Sequence, residues 1–412
     1  MPQGAAEAPI APDADASADD SRTQRGPPDA GQPRMDETMI DPIALALELV
    51  AFDTVSPPGT EEACAAHLAA LLVQAGFDVT RHAFAPGRTS LIARLPGTDP
   101  ERATLVFTGH LDTVPLGLRT WSFNPHGEIR DGRLYGRGAS DMKAGVAAFV
   151  TAAIDTARAG RPKRDIVLVI TAGEETGCLG AAALTQNGAL GEASGLVIAE
   201  PTANRLALAH KGALHLRAHT SGATAHGSMP HLGDNAVLKA ARAVEALQAF
   251  RFGVPAHPLL GSPTATVTSL HGGEAVNVIP DSCTLTFDLR TLPGQDHEAV
   301  LAALRDCLGP DLQFDPPLAD MPAVGTEPSE AFAVMAIRTV HEASGGVSEA
   351  PIGMPYFTDG SVLHGAYGGC PTIILGPGES GQAHQTDEWC ETQAITEAKR
   401  IYSALIANWC GA

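Results

Sequence analysis

The feature that most constrains this chain is a recurrence. Short apolar runs, each ending in a His, Asp or Glu, alternate with helix-length segments. Residues 104–107 form such a run; it stops at Gly109 and is followed at once by His110-x-Asp112. Residues 166–171 form a second, followed by Gly173-Glu174-Glu175, and residues 196–199 a third, followed by Glu200-Pro201. Runs of this length without polar alternation read as strands buried on both faces. Between the first two, residues 143–159 are alanine-rich and nearly apolar all round, which predicts a buried helix. The alternation predicts an α/β fold, and ligand sites in open α/β sheets lie outside the carboxyl ends of the strands. His110, Asp141, Glu174, Glu175 and Glu200 can therefore converge although they are far apart in sequence.

Residues 1–39, rich in Ala, Pro, Asp, Gly and Gln, read as a disordered acidic tail without the apolar core of a signal peptide, with Met35 or Met39 as an alternative start. Asp41 is the expected N-cap of a helix through Val50. A second helix is expected over 61–75, strands over 77–84 and 90–95, and a surface hairpin over 130–135. From about Leu208 the texture changes to alternating strands, 214–221, 264–270 and 283–290, with helices over 235–250 and 297–308 and a short strand at 312–314. The order β-α-β-β-α-β is that of a ferredoxin-like motif. Residues 209–320 therefore read as a small α+β domain inserted between 40–208 and 321–412. The α/β pattern resumes with a helix over 329–343, a strand over 372–375, the loop carrying Ala383-His384 and Asp387-Glu388, and a closing helix over 392–409.

Charge and cysteine usage narrow the class. A net charge of −20 argues against a nucleic-acid partner, which needs a basic face. The seven cysteines are scattered and contain no C-x-x-C pair, which favours reduced thiols in the cytoplasm. No apolar run approaches the roughly 18 residues of a membrane span.

Collected, the strand-end residues are His110 and His384 with Asp141, Glu174, Glu175 and Glu200. Zinc accepts His nitrogen and carboxylate oxygen at about 2.0–2.2 Å. One ion would leave spare carboxylates. Two ions sharing a carboxylate use the whole set, with His110, Asp141 and Glu200 on one and Asp141, Glu175 and His384 on the other. Paired ions lower the pKa of a shared water to about 7. Glu174 is then free to act as general base. Asp112, two residues beyond His110 on an extended segment, points to the same side and is a candidate to accept the other ring N–H of that histidine. Simple salt bridging is the alternative, but few lysines or arginines adjoin these acids in sequence.

The motifs Gly109-His110-x-Asp112, Gly136-x-Gly138-x-Ser140-Asp141-Met142-Lys143, Gly173-Glu174-Glu175, Glu200-Pro201-Thr202 and the late His384, together and in this order, resemble the M20 metallopeptidases. That family includes acetylornithine deacetylase, succinyl-diaminopimelate desuccinylase and carboxypeptidase G2. The resemblance spans roughly residues 41–410. It implies a zinc-peptidase-like three-layer catalytic domain with the inserted domain as lid and dimerisation surface. It implies two divalent ions per chain, zinc with cobalt or manganese as alternatives, bridged by Asp141, with Glu174 as base and Asp112 among the catalytic residues. His226, in Gly222-x-x-x-His226-Gly227, matches the lid histidine that reaches the partner's site in dimeric members and steadies the oxyanion. Asn277 and Arg290 match lid residues that bind substrate, and a guanidinium can grip a carboxylate bidentately. The expected substrate is thus a small N-acyl amino acid with a free carboxylate, or a short peptide if the chain is a carboxypeptidase or dipeptidase. At Thr358-Asp359-Gly360-Ser361 the arginine of desuccinylase-type loops is absent, which speaks against a succinyl substrate. No G-x-S-x-G elbow supports a serine hydrolase; Gly138-x-Ser140-x-Met142 lacks the second glycine. A metal-free binding protein is the rival from outside the enzymes.

Overall fold

The computed structural model describes residues 40–99, 104–346 and 349–411, so the expected tail over 1–39 lies outside the described residues. Two sheets carry most of the described residues, beside a small three-stranded one. In the larger, the strands run in the order Asp78–Ala85, Arg88–Leu95, Ile166–Thr171, Leu105–His110, Gly195–Ile198, Thr372–Ile374, Ala207–His210 and Val324–Gly325, with Ile352–Met354 also pairing on Ala207–His210. Its centre is parallel: Leu105–His110 pairs in parallel with Ile166–Thr171 and with Gly195–Ile198, and Thr372–Ile374 with Gly195–Ile198. His110 lies opposite Thr171, and Thr108 opposite Ile198. This register brings the segments holding Glu174, Glu175 and Glu200 out at the edge where His110 ends.

The central strands are buried along their length, as their continuous apolar runs require. Alternate side chains serve two cores. Leu105, Phe107, Leu168 and Ile170 face a cluster built on the helices Pro42–Ala51, Glu62–Gln74, Ala144–Ala159, Ala331–Ala343 and Thr392–Cys410. Val106, Val167 and Val169 face the opposite cluster, built on Leu179–Gln186 and Gly360–Ala366. The result is a three-layer α/β arrangement. The expected N-cap is in place, with the Asp41 Oδ1 accepting the Ile43 N–H at 3.1 Å. Residues 144–154 are buried on every face of their helix, as its composition predicts. At Gly145 an added Cβ would come within 2.3 Å of the Ala199 carbonyl oxygen, so only glycine lets this helix pack so closely on the sheet.

The smaller sheet has the order Thr264–Gly272, Ser282–Thr291, Gly212–Ser221 and Leu312–Phe314, with Ala319–Met321 also on Gly212–Ser221. These pairings are antiparallel, and two helices, Ala236–Leu247 and His297–Leu308, pack on one face. With both crossover helices on that face, the strand order is that of the ferredoxin-like motif. Cys283, Leu285, Phe287 and Leu289 point into the helix-covered core. The period of two therefore sends Asp288 and Arg290 to the open face.

Several elements were not legible. The hairpin at Glu128–Arg130 and Arg133–Tyr135 gains a third strand, Trp389–Glu391, from the far end of the chain. Leu179–Gln186 and Gly360–Ala366 are too short for a helical period to stand out. The strand Ala207–His210 belongs to the large sheet and runs into the region where the texture changes.

Candidate active site

His110, at the end of its strand, is 1% exposed. Its Nδ1 lies 2.9 Å from the backbone carbonyl oxygen of Asp112. A carbonyl only accepts, so Nδ1 carries the proton and Nε2 is left as the ligating atom. Nε2 is 3.2 Å from Asp141 Oδ1 and 3.8 Å from Glu200 Oε1. The other Asp141 oxygen, Oδ2, is 3.4 Å from His384 Nε2, which is itself 3.1 Å from Glu175 Oε1. Asp141 thus stands between the two histidines with one oxygen toward each. Ligand atoms of His110, Asp141 and Glu175 all lie within 4.8 Å of one another.

The electrostatics fit a cation at this point. Burial raises the pKa of Glu174, Glu175 and Glu200, and carboxylate neighbours add to the rise. Burial also opposes ionisation of Asp141, but hydrogen bonds from His110 and His384 outweigh it and hold the carboxyl below its usual range. Hydrogen bonds to Asp141 and Glu175 push His384 up to about 10. For His110, burial pulls down, and the bond to Asp141 with the surrounding carboxylates carries it well above its ordinary value. Among the described residues, no lysine or arginine pairs with Asp141, Glu175 or Glu200. Protons on the two histidines are the local balancing charge, and divalent ions bound by the same oxygens and nitrogens would replace them.

The scaffolding differs from expectation at Asp112. Its backbone carbonyl, not its carboxylate, accepts from His110; the nearer carboxylate oxygen is 3.6 Å from Nδ1. The carboxylate instead accepts the amide N–H groups of Gly173 at 2.8 Å, Glu174 at 3.1 Å and Glu175 at 3.1 Å. These amides turn inward where the chain leaves the adjacent strand, and three donors outcompete one imidazole. Asp112 therefore holds the segment that presents Glu174 and Glu175.

Glu388 does the same for the Asp141 segment. Its carboxylate accepts from the amides of Gly138 at 3.1 Å, Ser140 at 2.8 Å and Asp141 at 3.0 Å, and from Arg137 Nη1 at 2.6 Å. Arg137 Nη2 in turn donates to the His384 carbonyl at 3.4 Å, where the backbone takes a left-handed φ of 64°. Sequence reasoning left Glu388 without a role; its one signal was an acid four residues beyond a predicted ligand.

These groups open into a cleft of about 590 Å³ lined by Asp141, Glu174, Glu175, Glu200 and His384 from one side and Arg290, His215, Leu318 and Ala319 from the smaller sheet. Tyr356, Phe357, Thr176 and Ser380 also line it. Arg290 is held by Asp288, with Nη2 donating to Oδ2 at 3.1 Å. His215 was missed, although it faces Asp288 across the strand pair and so shares the face of Arg290. His226 and Asn277 do not line this cleft. They adjoin each other, the Gly227 amide donating to the Asn277 carbonyl at 2.7 Å, and the His226 Nδ1 accepts from the Ser228 amide. The register puts Ala213 opposite Arg290 and Ser221 opposite Ser282, so His226 follows the far end of the strand. Eight residues of strand span about 27 Å.

The profile of peptidase family M20/M25/M40 matches residues 106–408. The chain belongs to that family. The resemblance read from the five motifs and the α/β fold with an inserted ferredoxin-like sheet are thus both met. This M20 member is 31% identical over 357 residues to an acetylornithine deacetylase of Vibrio cholerae, covering 84% of this chain and 91% of that one. Its fold matches the aminopeptidase PepT of Bacillus cereus with a TM-score of 0.72 at 22% identity, over 89% of this chain and 98% of that one. It also matches the Bacillus subtilis YXEP protein, a dinuclear metal-binding M20 peptidase, with a TM-score of 0.68 at 16% identity, over 90% and 96% of the two chains. The chain is a metal-dependent hydrolase of amide bonds, which sets aside the metal-free binding protein. No described helix is long and apolar enough to cross a membrane.

Proposed function

We propose that this M20 hydrolase removes the acyl group from a small N-acyl amino acid whose free carboxylate is bound by Arg290. The observation that carries this reading is the presence of Arg290 and Glu174 in one cleft with the histidine–carboxylate cluster. His110, Asp141 and Glu200 would hold one divalent ion and Asp141, Glu175 and His384 the other, zinc being the first choice for this donor set. Such ions supply Lewis acidity toward the amide carbonyl and acidify water. Glu174, 6% exposed and not needed as a ligand, takes the proton of the attacking water and passes it to the departing amine nitrogen. Hydroxide is thereby added to the acyl carbon as the C–N bond breaks. Asp112 supports this by fixing the Glu174 segment.

In this reading residues 40–208 and 321–412 are the catalytic domain and 209–320 the lid and dimerisation domain. The exposed His226, displaced along the lid from the Arg290 of its own chain, supports a homodimer in which the partner's His226 steadies the oxyanion, with Asn277 beside it. The seven cysteines are all free, which supports a cytoplasmic setting. The second reading, a carboxypeptidase or dipeptidase, rests on the peptidase neighbours and on Arg290, which would bind a C-terminal carboxylate equally well. A hydrolysis screen of N-acetyl, N-formyl and N-succinyl amino acids against dipeptides, with metal content measured in parallel, tests the assignment. Turnover of dipeptides but no N-acyl amino acid would overturn it in favour of the second reading.

A further inference from the structure

We infer that the amino-acid part of the substrate carries an uncharged, apolar side chain, and that a cationic one such as ornithine is disfavoured; this rests on the deacylase reading above. Among the described lining residues Arg290 is the one arginine or lysine, and it suits the substrate carboxylate. The acidic lining residues have work already: Asp141, Glu175 and Glu200 face His110 or His384, and Glu174 is the base. Two acids just behind the lining are committed as well: Asp288 holds Arg290 at 2.8 Å and Asp320 pairs with His297 at 2.6 Å. Asp359 accepts the Thr171 hydroxyl on one oxygen and has no partner on the other, but at 2% exposure it lies behind the lining, and the exposed Glu379 adjoins Ser380 rather than Arg290. A substrate ammonium entering beside Arg290 would face a like charge with no uncommitted carboxylate among the lining residues, which is unfavourable.

Beside the uncharged polar Thr176 and Ser380, the walls offer apolar contact. Leu318 is 53% exposed and lines the cleft with Ala319, on the segment that crosses the strand bearing His215. Arg290 lies opposite Ala213, and the Leu318 amide donates to the carbonyl of His215 two residues along that strand, so both residues sit on one stretch of the cleft wall. Tyr356 donates its hydroxyl to the Pro201 carbonyl at 3.0 Å, which leaves its ring as the part available to the cleft, next to Phe357. A free leucine and two aromatic rings reward removal of an apolar group from water.

The test uses the metal-loaded full chain with N-acetyl-leucine, N-acetyl-methionine and N-acetyl-ornithine, and with glycyl-leucine and glycyl-lysine. Within each set the apolar member should have kcat/KM higher by on the order of 10²-fold, the scale on which a mismatched pocket discriminates. Equal or better turnover of the ornithine compound overturns the inference. If only the dipeptides react, the deacylase reading fails and the leucine-to-lysine ratio still decides side-chain class. If nothing reacts, calorimetric binding of N-acetyl-leucine against N-acetyl-ornithine decides it, equal affinity being the overturning result. Leu318→Glu, at an exposed position that tolerates charge, should move the ratio toward ornithine at least tenfold; an unmoved ratio shows that Leu318 does not meet the side chain.

Discussion

The Glu388 carboxylate accepts the backbone N–H of Asp141 at 3.0 Å. The same carboxylate binds Arg137, whose guanidinium reaches the carbonyl of His384. One buried ion pair thus ties the segment of the central carboxylate to the segment of the late histidine. Glu388→Gln keeps the shape but turns one acceptor oxygen into a donor. Divalent metal affinity should fall about 10–100-fold, as for other groups that orient ligands. Chelator competition would read this, and an unchanged affinity would show that the clamp does not orient the ligands.

Glu174→Ala should leave metal content intact and lower kcat by about 10²–10⁴, because the base is not one of the proposed ligands. Elemental analysis beside steady-state kinetics checks both halves. Wild-type kcat with metal present would remove Glu174 from its role.

Asp141→Ala should lose both ions together, since its two oxygens face His110 and His384 separately. Retention of one ion at full occupancy and unchanged affinity would contradict a shared carboxylate.

His226→Ala should lower kcat by about 10²–10³ with little change in metal affinity, the scale of a lost oxyanion donor. Mixed with Glu174→Ala, it should regain activity, because each mixed dimer then contains one site with both groups intact. Absence of recovery, with subunit exchange demonstrated separately, would favour a lid that closes on its own chain.

His210 gives a pH prediction. Burial lowers its pKa to about 4 from an ordinary 6.5, and the nearby His364 acts in the same direction. The unfolded chain takes up a proton as pH falls through about 6.5, whereas the folded one does not until about 4. Stability is therefore lost as pH falls across that window, by roughly 3 kcal/mol at about 1.4 kcal/mol per pKa unit. His210→Gln should unfold in denaturant with a shallower pH dependence between 6.5 and 4; an identical slope would exclude His210 as a contributor.

The sequence by itself determined where the chemistry could sit. Whether a run such as 166–171 is a buried strand depends on local periodicity, and a parallel sheet places strand ends together, so His110, Glu174, Glu175 and Glu200 were legible as neighbours. The ferredoxin-like order was legible for the same reason, since helix and strand periods differ. What only the tertiary structure decided is which group each polar atom meets. Asp112 lies two residues from His110, yet its carboxylate serves the amides of Gly173, Glu174 and Glu175. Glu388 finds the Asp141 amide across 247 residues of chain. His215 shares the cleft with Arg290, while His226, matched by motif, stands beyond the other end of the strand that bears His215. Periodicity dictates the face of an element and its ends. The partner of a buried donor or acceptor is settled by packing, where each polar group takes the best acceptor or donor left to it once water is excluded.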